Sequence, residues 1–495
     1  MAENEYVVSI EELSARKVVK RVGSSQPSGP SHDQQQQQPI SSSTWKEKLK
    51  KMLEDDERAQ NLRIPAAAKP KIQRVPPMLR DQKNFVKYYE PRAVCIGPIH
   101  HGNPKFQVSS KYKPKLTAKF IKDSGSTNGG EDLYMKIWDS IKELRDCYEE
   151  EVTKSYDDET LAWMLFLDGC STLQFIHSYQ VGELKKCFNI KNDQISFAQQ
   201  DLFLLENQLP YRVLKLLMNV GSKINYKDSI IKFVRNNVMA PEKLTHKIVL
   251  KIEEEEEPAH LLELLQFALL YKPQKKKEQQ MYERGCENKE SYNSQHSYRN
   301  VQELKTAGIQ LKPSGSCCLR DVTFNSLCFA GYLKIPPLTV DDSTGPLFFN
   351  LIAYEMLPDN IQTDYGVTSY ISFLDQLIDN ADDVKDLRSA NVLRNHLGSD
   401  LEVAELFNEI GTDLVPDPHA YTKVKAQLQK HYKNKWMTWM AQVYYEHFSN
   451  PWTIMAFNAA MVALALSSVQ TWFAVFSPPG PCDKFCSNFT MPHKP

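Results

Sequence analysis

The chain has 495 residues, 41% of them apolar and 24% charged, with 60 Lys+Arg against 61 Asp+Glu. These proportions exclude a wholly disordered chain and a polytopic membrane protein, and they leave room for two or three domains or one large one with tails. A net charge of −1 gives no global electrostatic footprint for nucleic acid, so no nucleic-acid partner is expected.

Met1–Lys17 lacks a basic start followed by an apolar core, so it does not read as a secretory signal. Residues 22–43 are rich in Ser, Gly, Pro and Gln, with a run of Gln at Gln34–Gln38. Such a stretch cannot bury enough apolar area to offset its ordering entropy, and residues 1–70 are predicted to form a disordered extension. Within it, Trp45, Leu49, Met52 and Leu53 space a short amphipathic helix over 44–60.

The body, 71–450, is predicted to be mainly helical. Apolar residues recur every three or four positions at Tyr134, Ile137, Ile141, Leu144 and Tyr148, then at Leu161, Leu165, Thr172 and Phe175. Leu202, Leu205, Leu209, Val213 and Leu216 predict a further helix, ended or kinked by Pro210. Leu261, Leu264, Leu265 and Leu269 mark another, after the acidic run Glu253–Glu257, which reads as a solvated face. Residues 271–300 are polar and read as an insertion loop, with Lys275–Lys277 lacking the aromatic platform of a nucleic-acid site. The period then shortens: Ile309–Lys312, Leu319–Phe324 and Leu327–Ile335 predict a small hairpin or meander, turning at Asn325-Ser326. Helical spacing returns at Leu347–Met356, Tyr370–Ile378, Val403–Ile410 and Val424–Phe448.

Trp452–Phe476 is different, with 25 residues and no charge. At about 1.5 Å per residue it spans roughly 37 Å, enough for a hydrocarbon core of ~30 Å. Trp452 and Trp472 lie near its ends as interface anchors, and Pro451 and Pro478-Pro479 punctuate it. It is predicted as a single transmembrane helix, with the lipid bilayer as its partner; the alternative is a buried core helix. Lys430, Lys433 and Lys435 precede it, and the positive-inside bias then places the body in the cytosol and residues 477–495 outside. Asn488 heads a glycosylation sequon in that tail, usable on the same side. Cys482 and Cys486 could close a small loop or bridge to another molecule in an oxidising space. The membrane itself, plasma membrane or endomembrane, is not specified. The other eight cysteines form no CxxC pair and read as reduced core residues.

No phosphate-binding loop, dinucleotide fingerprint, nucleophile elbow or H-E-x-x-H motif is present, and no cofactor is expected. Three polar constellations remain. His100-His101, on the turn Ile96–Gly102, could bind a metal or act as a base, although neighbours in sequence tend to point apart and the default is a structural turn. Asp168, in Asp168-Gly169-Cys170, falls on the apolar face of its helix and needs a partner if buried. Glu206, in Glu206-Asn207-Gln208, is expected on a leucine-lined helix. Arg74 and Arg80 are available as counter-charges, and Arg74, Arg80, Asp168 and Glu206 together are expected to form a structural polar network rather than a catalytic pair.

At these residues the chain resembles the plant family called domain of unknown function 247. The matching stretches are Ile72–Arg80 (IQRVPPMLR), Tyr89–Gly102 (YEPRAVCIGPIHHG), Asp168–Cys170, Asp201–Leu214 (DLFLLENQLPYRVL), Thr306–Ile309, Phe349–Glu355 (FNLIAYE) and Pro451–Gln470. The N-terminal extension falls outside the resemblance, and 271–300 is longer and more polar than the family pattern. The resemblance implies a single-pass, C-terminally anchored plant membrane protein with a mostly helical body. It implies no established enzyme activity, and links in some members to pollen recognition or reproductive development. The resulting expectation is a non-enzymatic, membrane-anchored recognition or signalling protein with an unidentified protein partner. The alternative is a membrane-tethered hydrolase or metal-dependent enzyme using His100 and His101 with Asp168 or Glu206.

Overall fold

The computed structural model describes residues 70–433 apart from 127, 219–223, 249, 251–256, 271–299, 328–329, 361–362 and 364, together with 47, 49–54 and 451–476. The chain divides into two units. In the first, Met1–Ala68, residues 47 and 49–54 are helical, and the rest of that unit lies outside the described residues. The second, Lys69–Pro495, carries the body. The polar stretch 271–299 and the tail 477–495 also lie outside the described residues.

The body is mainly α, as its periodicity predicts. Its longer helices are α1 (Lys113–Ser124), α2 (Glu131–Asp139), α3 (Asp158–Gln180), α4 (Asn192–Asp201), α5 (Tyr211–Met218), α6 (Tyr226–Asn237) and α7 (Leu261–Leu270). After the short strands come α8 (Thr344–Glu355), α9 (Gly366–Asp375), α10 (Ala381–Ser389), α11 (Asp400–Ile410) and α12 (Thr422–Lys433), and then α13 (Pro451–Phe476). The first half is built around α3, which packs against α1, α2, α5 and α6. Surrounded in this way, α3 is buried on several faces, and Leu161, Leu165, Leu173 and Ile176 are fully enclosed. Asp157 starts it by accepting the Thr160 N–H at 2.7 Å, with Asp158 and Glu159 in the first turn where the helix dipole favours acid. In the second half α8 lies against α7, α9 and α11. Both halves share one apolar core, joined across α6 and α7.

The small sheets are β1 (Ile309–Pro313), β2 (Thr323–Leu327), β3 (Ala330–Ile335), β4 (Leu338–Val340) and β5 (Leu393–Asn395). β3 is central, parallel to β1 and antiparallel to β2, and β4 pairs in parallel with β5. The predicted turn at Asn325-Ser326 is incorrect. Both residues lie inside β2, where they pair with Tyr332 and Gly331, and the chain reverses after Leu327. Two helical expectations also need correction. The stretch from Tyr134 to Tyr148 breaks after Asp139, and Ile141–Asp146 is a separate short helix. Residues 202–210 are not helical at all, although every one of them is buried.

The Asp168-Gly169-Cys170 motif has a packing explanation. A Cβ on Gly169 would lie 2.6 Å from Leu217 Cδ1 and 2.8 Å from Val213 Cγ1, so the glycine lets α5 approach α3 closely. Gly169→Val should therefore lower stability by about 1–3 kcal/mol through overpacking, read as a shift in the urea midpoint. An unchanged midpoint would mean that α5 can retreat at no cost.

Candidate functional site

Residues 92–97 form an irregular segment, bent at Arg92-Ala93 and at Gly97, with no strand paired to it, so their N–H groups do not enter a ladder. Side chains replace it. Asp201, the last residue of α4, accepts from the N–H groups of Arg92 (3.0 Å), Ala93 (2.6 Å) and Val94 (2.8 Å). Asn207 Oδ1 accepts from the Ile96 N–H at 2.7 Å, and its amide donates to Val94 O at 3.0 Å. Asp168 Oδ2 accepts from the Gly97 N–H at 2.9 Å. Gly97 has φ +70°, and a Cβ there would meet Gln208 O at 2.8 Å, so both conformation and space require glycine.

The same amides explain why 202–210 is not a helix. Gln208 Nε2 donates to Leu202 O (2.9 Å) and Leu204 O (2.8 Å), and Asn207 Nδ2 donates to Asp201 O at 2.8 Å. The Leu205 N–H goes to Asn350 Oδ1 at 2.8 Å. Buried backbone that would be satisfied within a helix is satisfied here by side chains, and the leucine spacing follows an irregular turn.

The expected polar residues sort into two separate pairs. Asp168 is paired with Lys113, and both are buried. Glu206 is paired with Arg80 and also accepts the Val75 N–H at 2.8 Å, which ties the Ile72–Arg80 stretch to the irregular turn. Arg74 is exposed, and no ion pair joins it to either carboxylate. His100 and His101 diverge. His100 Nε2 stands 3.4 Å from Glu206 Oε2, near enough for charge attraction but misaligned for a hydrogen bond. The exposed His101 ring sits edge-on to Tyr156 at 6.0 Å. Among the described residues no three His, Cys, Asp or Glu side chains gather as a metal site requires. Trp452 and Trp472 are both exposed on α13. Asn488, Cys482 and Cys486 lie outside the described residues.

The buried carboxylates are shifted in opposite directions. Burial pushes Glu206 up, but His100, the Val75 N–H and Arg80 outweigh it and hold the group below the usual carboxylate range. For Asp201 burial wins over the three backbone N–H groups, and the carboxyl is raised. Glu355, at the end of α8, is likewise raised by burial against its neutral donors, the Val367 and Thr368 N–H groups, the Thr368 hydroxyl and Gln266. Its carboxylate caps the start of α9. Asn350, on α8, also donates to Tyr88 O at 2.8 Å. Lys113, Asp201, Asn350 and Glu355 were not singled out in the sequence, although three of the four stand inside the stretches that carry the resemblance.

Beside the Lys113–Asp168 pair opens a cavity of about 200 Å³, bounded by α1, α3, α4 and the 92–96 backbone. Its charged lining residues are Arg92, Lys105 and Lys113.

Residues 72–466 match the family model DUF247, plant protein of unknown function. The chain belongs to this family. It is similar to a UPF0481 protein of Arabidopsis thaliana, with 28% identity over 419 residues, covering 79% of this chain and 83% of the relative. A second UPF0481 protein of that plant is 24% identical over 473 residues, covering 79% of this chain and 87% of the relative. No solved structure matches the chain. The matched region begins at Ile72, whose N–H donates to Cys147 O at 2.8 Å.

Removing one partner of a buried pair strands the other charge, at a cost of about 3–5 kcal/mol. Asp168→Ala should be destabilising on that scale, whereas Lys113→Met combined with Asp168→Asn should recover part of the loss, because Asn still offers an oxygen to Gly97. A double variant less stable than Asp168→Ala would contradict this account. Glu206 has a different signature. Its folded value lies below the ordinary 4.5, so it adds stability above that pH that is lost as pH falls further. Glu206→Gln should lower the urea midpoint at pH 7 and flatten its decline as the pH falls below 4.5. A decline as steep as in the parent protein would assign the acid sensitivity elsewhere.

Proposed function

We propose that this plant protein is non-enzymatic and membrane-anchored, and that it holds a helical body in the cytosol for recognition or signalling. The observation that carries the reading is α13. It is long and apolar enough to cross a bilayer, with a mean hydropathy of 1.7 over Trp452–Phe476 and none of that window buried against the rest of the chain. Apolar surface left in water costs roughly 25 cal/mol per Å², so a helix apolar all round needs hydrocarbon or another helix to cover it.

The orientation rests on charge. Lys430 and Lys433 at the end of α12, and Lys435 after it in the sequence, precede the span, and cationic flanks are retained on the cytosolic side. The oxygens of Asp168 and Glu206 are engaged by Lys113, Gly97, Arg80 and Val75, which favours a fastening role over a reactive one. The recognition role rests on what the family resemblance implies, and the protein partner is unidentified.

Carbonate washing of membranes tests the anchor. The full chain should stay in the pellet and a chain lacking 452–495 should not. Leu464→Arg, near the span centre, should weaken insertion by about 2.5–3.5 kcal/mol. Retention of the truncated chain in the washed pellet would overturn the reading. A glycosidase-sensitive mobility shift lost in Asn488→Gln would support the orientation, and a tag after the span that is protease-accessible only from the cytosolic face would refute it.

A further inference from the structure

We propose that the cavity between α1, α3, α4 and the 92–96 backbone binds a compact apolar monocarboxylic acid, with an aromatic or medium-length aliphatic body. Size sets the first limit. About 200 Å³ lies below the ~300–1,000 Å³ of sites for drug-sized molecules, so the occupant is small. The walls set its body. Val94, Leu116, Phe175, Ile190 and Phe197 line the space, which suits hydrocarbon.

Charge sets its head group. The charged lining residues are all cations, Arg92, Lys105 and Lys113. Two of them are already balanced: Lys113 is paired with Asp168, and Lys105 lies 3.8 Å from Glu90. Arg92 has no ion-pair partner among the described residues: its guanidinium lies over the Phe197 ring at 4.5 Å and bonds Gln200, and the Asp201 carboxyl within reach of its charge is bound to backbone N–H groups instead. One unpaired cation matches one negative charge, whereas a dianionic phosphate would remain half neutralised. Lys113 adds a specific contact. It is only 7% exposed, and an ammonium carries three N–H donors. Asp168 Oδ1 is its one acceptor among the described residues, which leaves donors for a carboxylate inside the cavity. Arg92 and Lys105 are exposed and stand at the mouth, where they attract the anion.

The test uses the full chain in nanodiscs, titrated calorimetrically with phenylbutyrate and with phenylbutanol, its neutral counterpart, after subtraction of empty discs. Phenylbutyrate should bind saturably with one site and at least tenfold more tightly than phenylbutanol. Arg92→Gln should weaken phenylbutyrate about tenfold and leave phenylbutanol unchanged. Ala198→Trp, which fills the cavity from α4, should abolish binding of both, with Ala198→Phe as the smaller plug should the first variant fail to fold. Absence of saturable phenylbutyrate binding to the parent chain would overturn the proposal. Equal affinity for acid and alcohol, or undiminished binding to a folded plugged variant, would do the same.

Discussion

A backbone that enters the core without a strand beside it must find acceptors for its N–H groups or forfeit about 1–3 kcal/mol per orphaned group. Residues 92–97, exposed at Arg92 and fully buried from Cys95 onward, are in that position, and the architecture of the first half follows from how they are satisfied. Asp201, Asn207 and Asp168 supply the acceptors, which requires the end of α4, the irregular turn after it and the middle of α3 to converge on one line. Glu206 extends the arrangement to Val75 and Arg80, and Asn350 to Leu205 and Tyr88. Asp168, Asp201, Glu206, Asn207, Gln208, Asn350 and Glu355 are thus acceptors for backbone, and all are buried.

This use of acid side chains divides the buried carboxylates into two kinds. Glu206 and Asp168 have cationic partners, so each is a pair whose attraction offsets desolvation. Asp201 and Glu355 are met by N–H and O–H donors, and burial raises both. Glu206, held below the usual carboxylate range, favours the folded state as the medium becomes less acidic, whereas Asp201 and Glu355 favour it as the medium becomes more acidic. The body therefore carries opposing proton linkages in neighbouring parts of one core.

Much of the helical body was legible because spacing alone decides it. The apolar residues of α3 recur at the right period, and the charge-free length of α13 needs no tertiary information. The failures have specific causes. Leu202, Leu205 and Leu209 have helical spacing, yet Asn207 and Gln208 satisfy the surrounding backbone from their side chains and remove the reason to coil. Asn325-Ser326 resembles a turn in composition but is held as strand by pairing with β3. Asp168 and Glu206 could be marked as buried acids from their surroundings, while their partners could not be assigned. Lys113 is 55 positions from Asp168, and nothing local distinguishes it from its neighbour Lys115, which is exposed. Asp201 closes a polar helix that reads as solvated, and its burial is set only when 92–94 lies across it.

The sequence separations in this arrangement bear on how the protein is made. Gly97 waits for an acceptor 71 residues later, Val75 for one 131 residues later, and Tyr88 O for a donor 262 residues later. At roughly 5–20 residues per second of synthesis, the last interval is about 13–52 s. The 92–97 segment waits less long, because its last acceptor, Asn207, follows Ile96 by 111 residues, or about 6–22 s; until then the nascent chain carries these N–H groups and the apolar residues beside them with their native partners not yet made. Local helices such as α3 can form early, but closure around 92–97 is a late, long-range event, and topologies dominated by such closures fold slowly. The device that fastens the finished body is therefore also the step during which the newborn chain most needs shielding from its neighbours.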